Sequence, residues 1–240
     1  MSHFSVAVIS EKQEDIEKLL APYQENNMDD CPKEFLEFIN VEEDYIDDFK
    51  NLSEEELKEY PTFEKYMEDY HGYEKDDQTN KYGYWENPNR KWDWWQVGGR
   101  YSNLITRKDG HKVDSAKIKD IDFSPNKKEY DYAIRFWEIN VEGQELKDNE
   151  DKLDCFSLYK PEYYIERYET KERYAESMSK FRTWALITPD GKWYEQGKMG
   201  WFAMSDATKE SIKEFEDLLN SIIKFQANED YYMTIVDCHI

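Results

Sequence analysis

The stretch KWDWWQVGGR, residues 91–100, combines flat aromatic rings, two glycines and a fixed cation. Tryptophan rings offer faces on which a base or another ring can stack, and a guanidinium binds phosphate or carboxylate. Two residues without Cβ permit unusual backbone angles or a close approach. The pattern therefore predicts a turn that receives a flat, anionic, nucleotide-like ligand, with these ligand-binding residues: Trp92, Trp94, Trp95, Gly98, Gly99 and Arg100.

The tryptophans also have a purely structural interpretation. On a strand, Trp92 and Trp94 would share one face while Asp93 and Trp95 take the other, so one face would be core and one a site. Equally, the rings would simply bury area with each indole N–H satisfied locally. Both interpretations stay open. The chain has neither the GxxxxGK[ST] nor the GxGxxG pattern, which disfavours a P-loop or Rossmann enzyme.

A second candidate site lies in the terminal DCHI. On a strand, Asp237 and His239 would share a face, with Cys238 buried on the other. A carboxylate that orients an imidazole makes a general base, so these two residues are the predicted catalytic pair. The alternative is a satisfied polar pair at a strand end. His3 and His239 would meet if the terminal strands pair.

Metal and cofactor chemistry receive little support from the sequence. The chain has 4 histidines, with no HExxH and no pair at metal-ligand spacing, so no metal site is predicted. KMGWFAM, residues 198–204, again places glycine beside tryptophan but reads as core packing. The many carboxylates keep a divalent cation open, and the sequence leaves the cofactor undetermined.

Charge excludes one class of partner and favours another. With 32 basic against 54 acidic residues the formal charge is −22, so direct binding to duplex nucleic acid is not expected. Residues 41–80 hold 15 acidic residues against 4 lysines, a net charge of −11. Such a block would suit a basic host protein, as in a DNA mimic.

The sequence predicts a folded cytoplasmic protein. An aromatic fraction of 16% argues against a disordered acidic chain. The three cysteines are far apart with no CxxC, which fits a reducing compartment. The first residues lack a basic n-region, and no run of about 18 apolar residues appears, so neither secretion nor membrane insertion is expected.

The elements that would position these residues predict one α+β domain over residues 1–240. Phe4–Ile9 reads as a buried strand that pairs with the C-terminal strand YYMTIVDCHI in a mixed or antiparallel sheet, with helices on one side. Residues 41–80 form an acidic helical block, in which Ser53 and Glu56 make a capping box. The remaining predictions are one or two helices over 32–50, a helix capped by Thr62, an aromatic loop over 71–90, hairpins over 101–113 and 183–195, and helices over 161–180 and 206–225. Residues 114–157 stay unassigned.

The chain resembles a family of phage and prophage proteins. The matching motifs are an MSHF start, LAPYQENN (20–27), YGYWENPN (82–89), KWDWWQVGGR (91–100), TPDG (188–191), MGW (199–201) and DCHI (237–240). The resemblance spans the whole chain. It implies a phage accessory protein that acts on host pathways, including immune ones, and it carries over no catalytic roles.

Three functions follow as hypotheses. The first is a counter-defence protein that binds an anionic nucleotide-like molecule at the tryptophan and Gly-Gly-Arg motif, with hydrolysis of that molecule left open. The second is an acidic inhibitor whose residues 41–80 bind a basic host protein. The third is a virion or assembly component.

Overall fold

The computed structural model describes residues 2–147, 150, 156–157, 159–199 and 205–240. Its strands are β1 (His3–Ser10), β2 (Glu37–Asn40), β3 (Glu74–Lys75), β4 (Tyr82–Glu86), β5 (Trp94–Val97), β6 (Ile105–Thr106), β7 (Lys112–Val113), β8 (Ser115–Lys117), β9 (Ala185–Ile187), β10 (Trp193–Glu195) and β11 (Tyr232–His239). Its helices are α1 (Ile16–Leu20), α2 (Glu42–Lys50), α3 (Glu54–Glu59), α4 (Phe63–Lys65), α5 (Lys127–Asn140), α6 (Pro161–Tyr168), α7 (Lys171–Ser179) and α8 (Lys209–Lys224).

These elements group into two compact units. The first unit comprises Met1–Ile16 and Trp95–Cys238, and the second comprises Glu17–Trp94 and His239–Ile240. In the sequence, the segment Glu17–Trp94 of the second unit thus lies between the two segments of the first. The prediction of one domain over residues 1–240 stays a prediction.

The first unit is built on a mixed sheet that joins the terminal strands. The strand order is β10-β9-β1-β11-β5, and β8 pairs with β11. β1 runs parallel to β9, with Val6 opposite Ala185, and β9 and β10 form the antiparallel hairpin predicted around Pro189–Gly191. The predicted α+β class, with its N- and C-terminal strands in one mixed sheet, is confirmed.

The core of this unit explains why the terminal strands lie inside the sheet. Seven of the eight residues of β1 and six of the eight residues of β11 are buried, and both are rich in Val and Ile, which suit a strand covered on both faces. α8 packs its apolar face against them through Phe215 and Leu219. This helix confirms the prediction over residues 206–225.

Two predictions about the remaining helices of the first unit need correction or completion. The single helix predicted over 161–180 is wrong. α6 ends at Tyr168 and is followed by Glu169, whose φ is 66°, and Thr170 caps α7 by accepting a hydrogen bond from the Arg173 amide at 3.3 Å. Threonine caps a helix in this way because its hydroxyl satisfies an orphan N–H. The unassigned stretch contains β8 and α5, which is capped by Asn126.

The second unit contains a three-stranded sheet, ordered β2-β4-β3, that the sequence did not reveal. The aromatic loop predicted over 71–90 is therefore wrong in part, because it includes β3 and β4. Helix over all of 32–50 is also wrong, because β2 precedes α2 and places Phe38 opposite Trp85. A Cβ on Gly83 of β4 would lie 2.7 Å from the Phe38 ring, so this glycine admits the ring.

The acidic helices of the second unit follow the sequence signals. The Ser53 and Glu56 capping box is present at α3, and Thr62 accepts a hydrogen bond from the Lys65 amide at α4. α4 continues into a π-helix, Tyr66–Tyr70. Tyr66, Met67 and Tyr82 form the small core beneath these helices.

Some predictions fall on other parts of the chain. Cys155 and the Gly200 and Trp201 of the MGW motif lie outside the described residues. Within the described residues, no helix combines the length and apolar character that crossing a bilayer requires.

Candidate functional site

The Gly98–Arg100 turn follows β5 and depends on left-handed backbone angles. Gly98 has φ 70° and Gly99 has φ 54°, values that side chains with a Cβ rarely adopt. The Gly98 amide donates to the Ile235 carbonyl at 2.9 Å, which attaches the turn to β11. The unusual backbone angles suggested by the sequence are thus observed.

Two carboxylates of the chain approach the glycines closely. A Cβ on Gly99 would lie 2.6 Å from the Cβ of Asp237, and a Cβ on Gly98 would lie 2.7 Å from the Asp114 Cγ. Asp237 Oδ2 accepts from the Arg100 amide at 2.9 Å, and Asp114 Oδ1 accepts from the Asn103 amide at 2.5 Å. Backbone amides in the turn and just after it therefore bind the protein's own carboxylates.

Asp237 is fully buried and carries an imidazole partner that the sequence did not assign to it. Its Oδ1 lies 2.9 Å from His3 Nδ1, and the Tyr101 hydroxyl donates to the His3 carbonyl at 3.0 Å. Burial and the nearby Asp237 raise the pKa of Tyr101. The pairing of β1 with β11 brings His3 to Asp237, so the buried carboxyl group has hydrogen-bond partners.

The outer surface of the turn carries two polar side chains. Arg100 is exposed, and its guanidinium makes no ion pair or hydrogen bond with any described residue. The Gln96 amide lies over Gly99, with Nε2 2.6 Å from the position of a Cβ there, and it too has no hydrogen bond among the described residues. Trp95, which directly precedes Gln96 in the sequence, is half-buried.

The tryptophans of the second unit differ in environment, which corrects the predicted alternation. Trp92 is 5% exposed and donates its indole N–H to the Leu20 carbonyl at 3.2 Å, whereas Trp94 is 47% exposed. The backbone bends at Asp93, and Trp92 forms only an isolated bridge with Gln24. Because the bend interrupts the strand, Trp92 and Trp94 do not share one environment. Trp92 is a buried residue whose indole N–H is satisfied locally, as the purely structural interpretation proposed.

His239 forms a carboxylate–imidazole pair within the second unit. Its Nδ1 lies 2.6 Å from Asp93 Oδ1, and its carbonyl accepts from the Asp93 amide at 3.0 Å. The Trp94 ring meets the imidazole edge to face, with 6.5 Å between ring centres. Sequence analysis gave Asp93 no role. Asp93 lies between Trp92 and Trp94 in the sequence, and this position indicates a partner for His239 only once the pairing of the two segments is known.

Two other chemistries find no support in the described residues. Cys238 is fully buried, and burial raises the pKa of its thiol, which disfavours the nucleophilic thiolate. No group of three or more His, Cys, Asp or Glu side chains in the described part of the chain is arranged to hold a metal ion.

Comparison with known proteins returns no relative. No family model, curated protein or solved structure matches this chain.

Proposed function

We propose that the protein binds a small anionic, nucleotide-like ligand at the Gly98–Arg100 turn. The Arg100 guanidinium contacts the phosphate or carboxylate, and the Gln96 amide bonds a second polar group. One observation carries the proposal: in a chain with 54 acidic residues, the exposed Arg100 guanidinium has no carboxylate partner among the described residues. A guanidinium suits this role because it binds oxyanions in a bidentate geometry.

The turn would hold Arg100 ready for a ligand. Its backbone is fixed by the bond from its amide to Asp237 and by the Gly98 bond to β11. A preorganised donor loses less conformational entropy on binding, which increases affinity. The buried Asp237 thus supports the site from beneath.

The resemblance to phage and prophage proteins supports a setting for this binding. A counter-defence protein in the cytoplasm of the host cell would sequester an immune nucleotide signal. Hydrolysis of the ligand would additionally need a general base. Within the first unit, the Asp237–His3 pair, whose carboxylate accepts from the Arg100 amide, has that chemistry.

Ligand-induced stabilisation tests the proposal. The melting temperature and tryptophan fluorescence of the wild type, Arg100→Ala and Gln96→Ala are measured with a panel of mononucleotides, dinucleotides and cyclic nucleotides. A ligand of the folded state raises the melting temperature of the wild type, and Arg100→Ala removes most of the shift. Arg107→Ala is the matched control, because the Arg107 guanidinium is already paired with Asp109 at 3.1 Å. The proposal fails if no nucleotide shifts the wild type, or if Arg100→Ala responds fully to every nucleotide that does.

The acidic helices support a second candidate, binding to a basic host protein. Glu54 and Glu55 in the first turn of α3 are exposed and make no ion pair with a described residue. Charge reversal of both should weaken capture of a basic partner, and binding should fall steeply with salt. Glu56 is left unchanged, since its carboxylate belongs to the capping box. Salt-independent association would contradict this candidate.

A further inference from the structure

A cavity of about 310 Å³ lies in the first unit, away from every residue of the Gly98–Arg100 turn. One face of α8 forms one wall, through Phe215, Glu216, Leu219, Asn220, Ile223 and Lys224. The segment Lys180–Arg182, which follows α7, and Phe123, which precedes α5, form the others. The volume falls at the lower end of the range of about 300–1,000 Å³ found for ligand pockets.

The floor of this cavity is aromatic and apolar. Phe123 and Phe181 meet edge to face, with 5.6 Å between ring centres. Both rings pack on the main core, to which Phe215 and Leu219 of α8 belong. A flat apolar group in the cavity would therefore contact ring faces and edges held by a packed core.

Basic residues outnumber acidic ones around the cavity, although acidic residues outnumber basic ones in the whole chain. Lys180, Arg182 and Lys224 line the cavity with a single carboxylate, Glu216. None of the three cations makes an ion pair or hydrogen bond with a described residue. Three cations and a single carboxylate around one concave surface favour an anion as the ligand.

Hydrogen bonds fix the walls in place. The Asn126 amide donates to the Ser179 carbonyl at 2.8 Å, which ties the start of α5 to the end of α7. The Gln196 side chain, which also lines the cavity, donates to the Thr183 carbonyl at 2.9 Å. The Ser211 hydroxyl of α8 donates to the Gln196 carbonyl at 2.6 Å. These hydrogen bonds thus connect the walls of the cavity to one another.

We propose that this cavity binds a phosphate monoester of a flat aromatic group, with the ring against Phe123 and Phe181 and the phosphate among Lys180, Arg182 and Lys224. A phosphate monoester supplies the two negative charges and several acceptor oxygens that three cations favour over a single carboxylate. This inference does not rest on the Arg100 site.

Calorimetric titration with phenyl phosphate tests the site directly. Phenyl phosphate should bind the wild type, while phenol and inorganic phosphate, which each supply one half of the ligand, should bind at least about tenfold more weakly. Adenosine monophosphate is titrated in parallel. If it binds more tightly than phenyl phosphate, a nucleotide is the preferred ligand. Absence of phenyl phosphate and adenosine monophosphate binding would overturn the proposal, as would equal binding of inorganic phosphate alone.

Variants locate the binding. Arg182→Gln and Lys224→Gln should each weaken phenyl phosphate binding by about tenfold, because each removes a charge-assisted hydrogen bond. Both residues are exposed, so at least one variant should fold. Lys213→Gln is the matched control on the same helix, since Lys213 is exposed and does not line the cavity. Unchanged binding in both test variants, or an equal loss in Lys213→Gln, would refute the site. Arg100→Ala should bind phenyl phosphate like the wild type, which separates this result from the Arg100 proposal.

Discussion

Gly99 lies directly against the buried carboxylate of Asp237, and a Cβ at this glycine would come within 2.6 Å of the aspartate Cβ. The glycines of the Gly-Gly-Arg motif therefore have a structural role. Because they lack a Cβ, the Asp237 carboxylate can accept from the Arg100 amide and the Asp114 carboxylate from the Asn103 amide. The outer surface of the turn, where Arg100 and Gln96 are exposed, is the surface proposed to contact a ligand.

Replacing Gly99 with alanine should destabilise the first unit by about 2–4 kcal/mol, because the Cβ adds a collision with Asp237 to the strain of a positive φ. Gly110→Ala provides the control: its φ is 85° but nothing lies within 4 Å of the added Cβ, so it should cost only about 1 kcal/mol. Urea denaturation of both variants measures the difference. Equal losses would show that Asp237 does not constrain the turn.

Trp92 and Trp94, both in the second unit, should respond unequally to truncation. Trp92→Ala should lower the free energy of unfolding by about 3–5 kcal/mol, since it removes a buried ring and leaves the Leu20 carbonyl without its indole donor. Trp94→Ala should cost less than about 1 kcal/mol, because the ring is 47% exposed. Denaturant unfolding followed by circular dichroism compares them. A larger loss in Trp94→Ala would reverse the assignment of core and surface.

The capping box of α3 should contribute to the stability of the acidic block. Ser53→Ala removes the hydroxyl that accepts from the Glu56 amide, and should lower the free energy of unfolding by about 1 kcal/mol. Glu55→Gln, one residue away and outside the box, should have little effect on thermal stability. The melting temperatures of the two variants check this. A Ser53→Ala protein as stable as the wild type would show that the box is dispensable.

Stability should fall with decreasing pH because of His71. Tyrosines 45, 66, 70 and 73 surround its ring, and its buried Nε2 has no hydrogen-bond partner among the described residues. Burial lowers the pKa of His71 below its ordinary value of 6.5, although Asp48 partly opposes this. The unfolded chain therefore binds a proton that the folded chain resists, so this stability is full above pH 6.5 and is lost as pH falls toward the lowered pKa.

Urea unfolding from about pH 5 to about pH 8 measures this dependence. The variant His71→Phe keeps an aromatic ring but cannot titrate, so its stability should decline less than that of the wild type over the same range. Parallel profiles for the two proteins would assign the pH dependence to other groups.

Elements with strong local signals could be predicted from the sequence. α8 was predictable because its apolar residues recur at helical spacing, and the hairpin of β9 and β10 because Pro189, Asp190 and Gly191 favour a turn. The pairing of β1 with β11 followed from two apolar runs of strand length. In each case a few neighbouring residues carry the information.

Elements set by distant contacts could not be predicted. β4 contains a glycine and follows a stretch rich in Asn and Asp, and it becomes a strand only because β2 and β3 pair with it. The partner of Asp237 likewise depends on chain segments 234 residues apart. The cavity could not be predicted from the sequence, because its cations come from α8 and from the segment after α7 and belong to no common local motif.

The order of strands in the main sheet has a consequence for protein synthesis. β1 is translated first, but its neighbours β9 and β11 emerge only with residues 185–187 and 232–239. Through most of translation a strand of seven buried residues has no partner on the ribosome, and the centre of the sheet closes last. We therefore expect the nascent chain to need a chaperone over β1, and the first unit to reach its native state only after the ribosome has released β11.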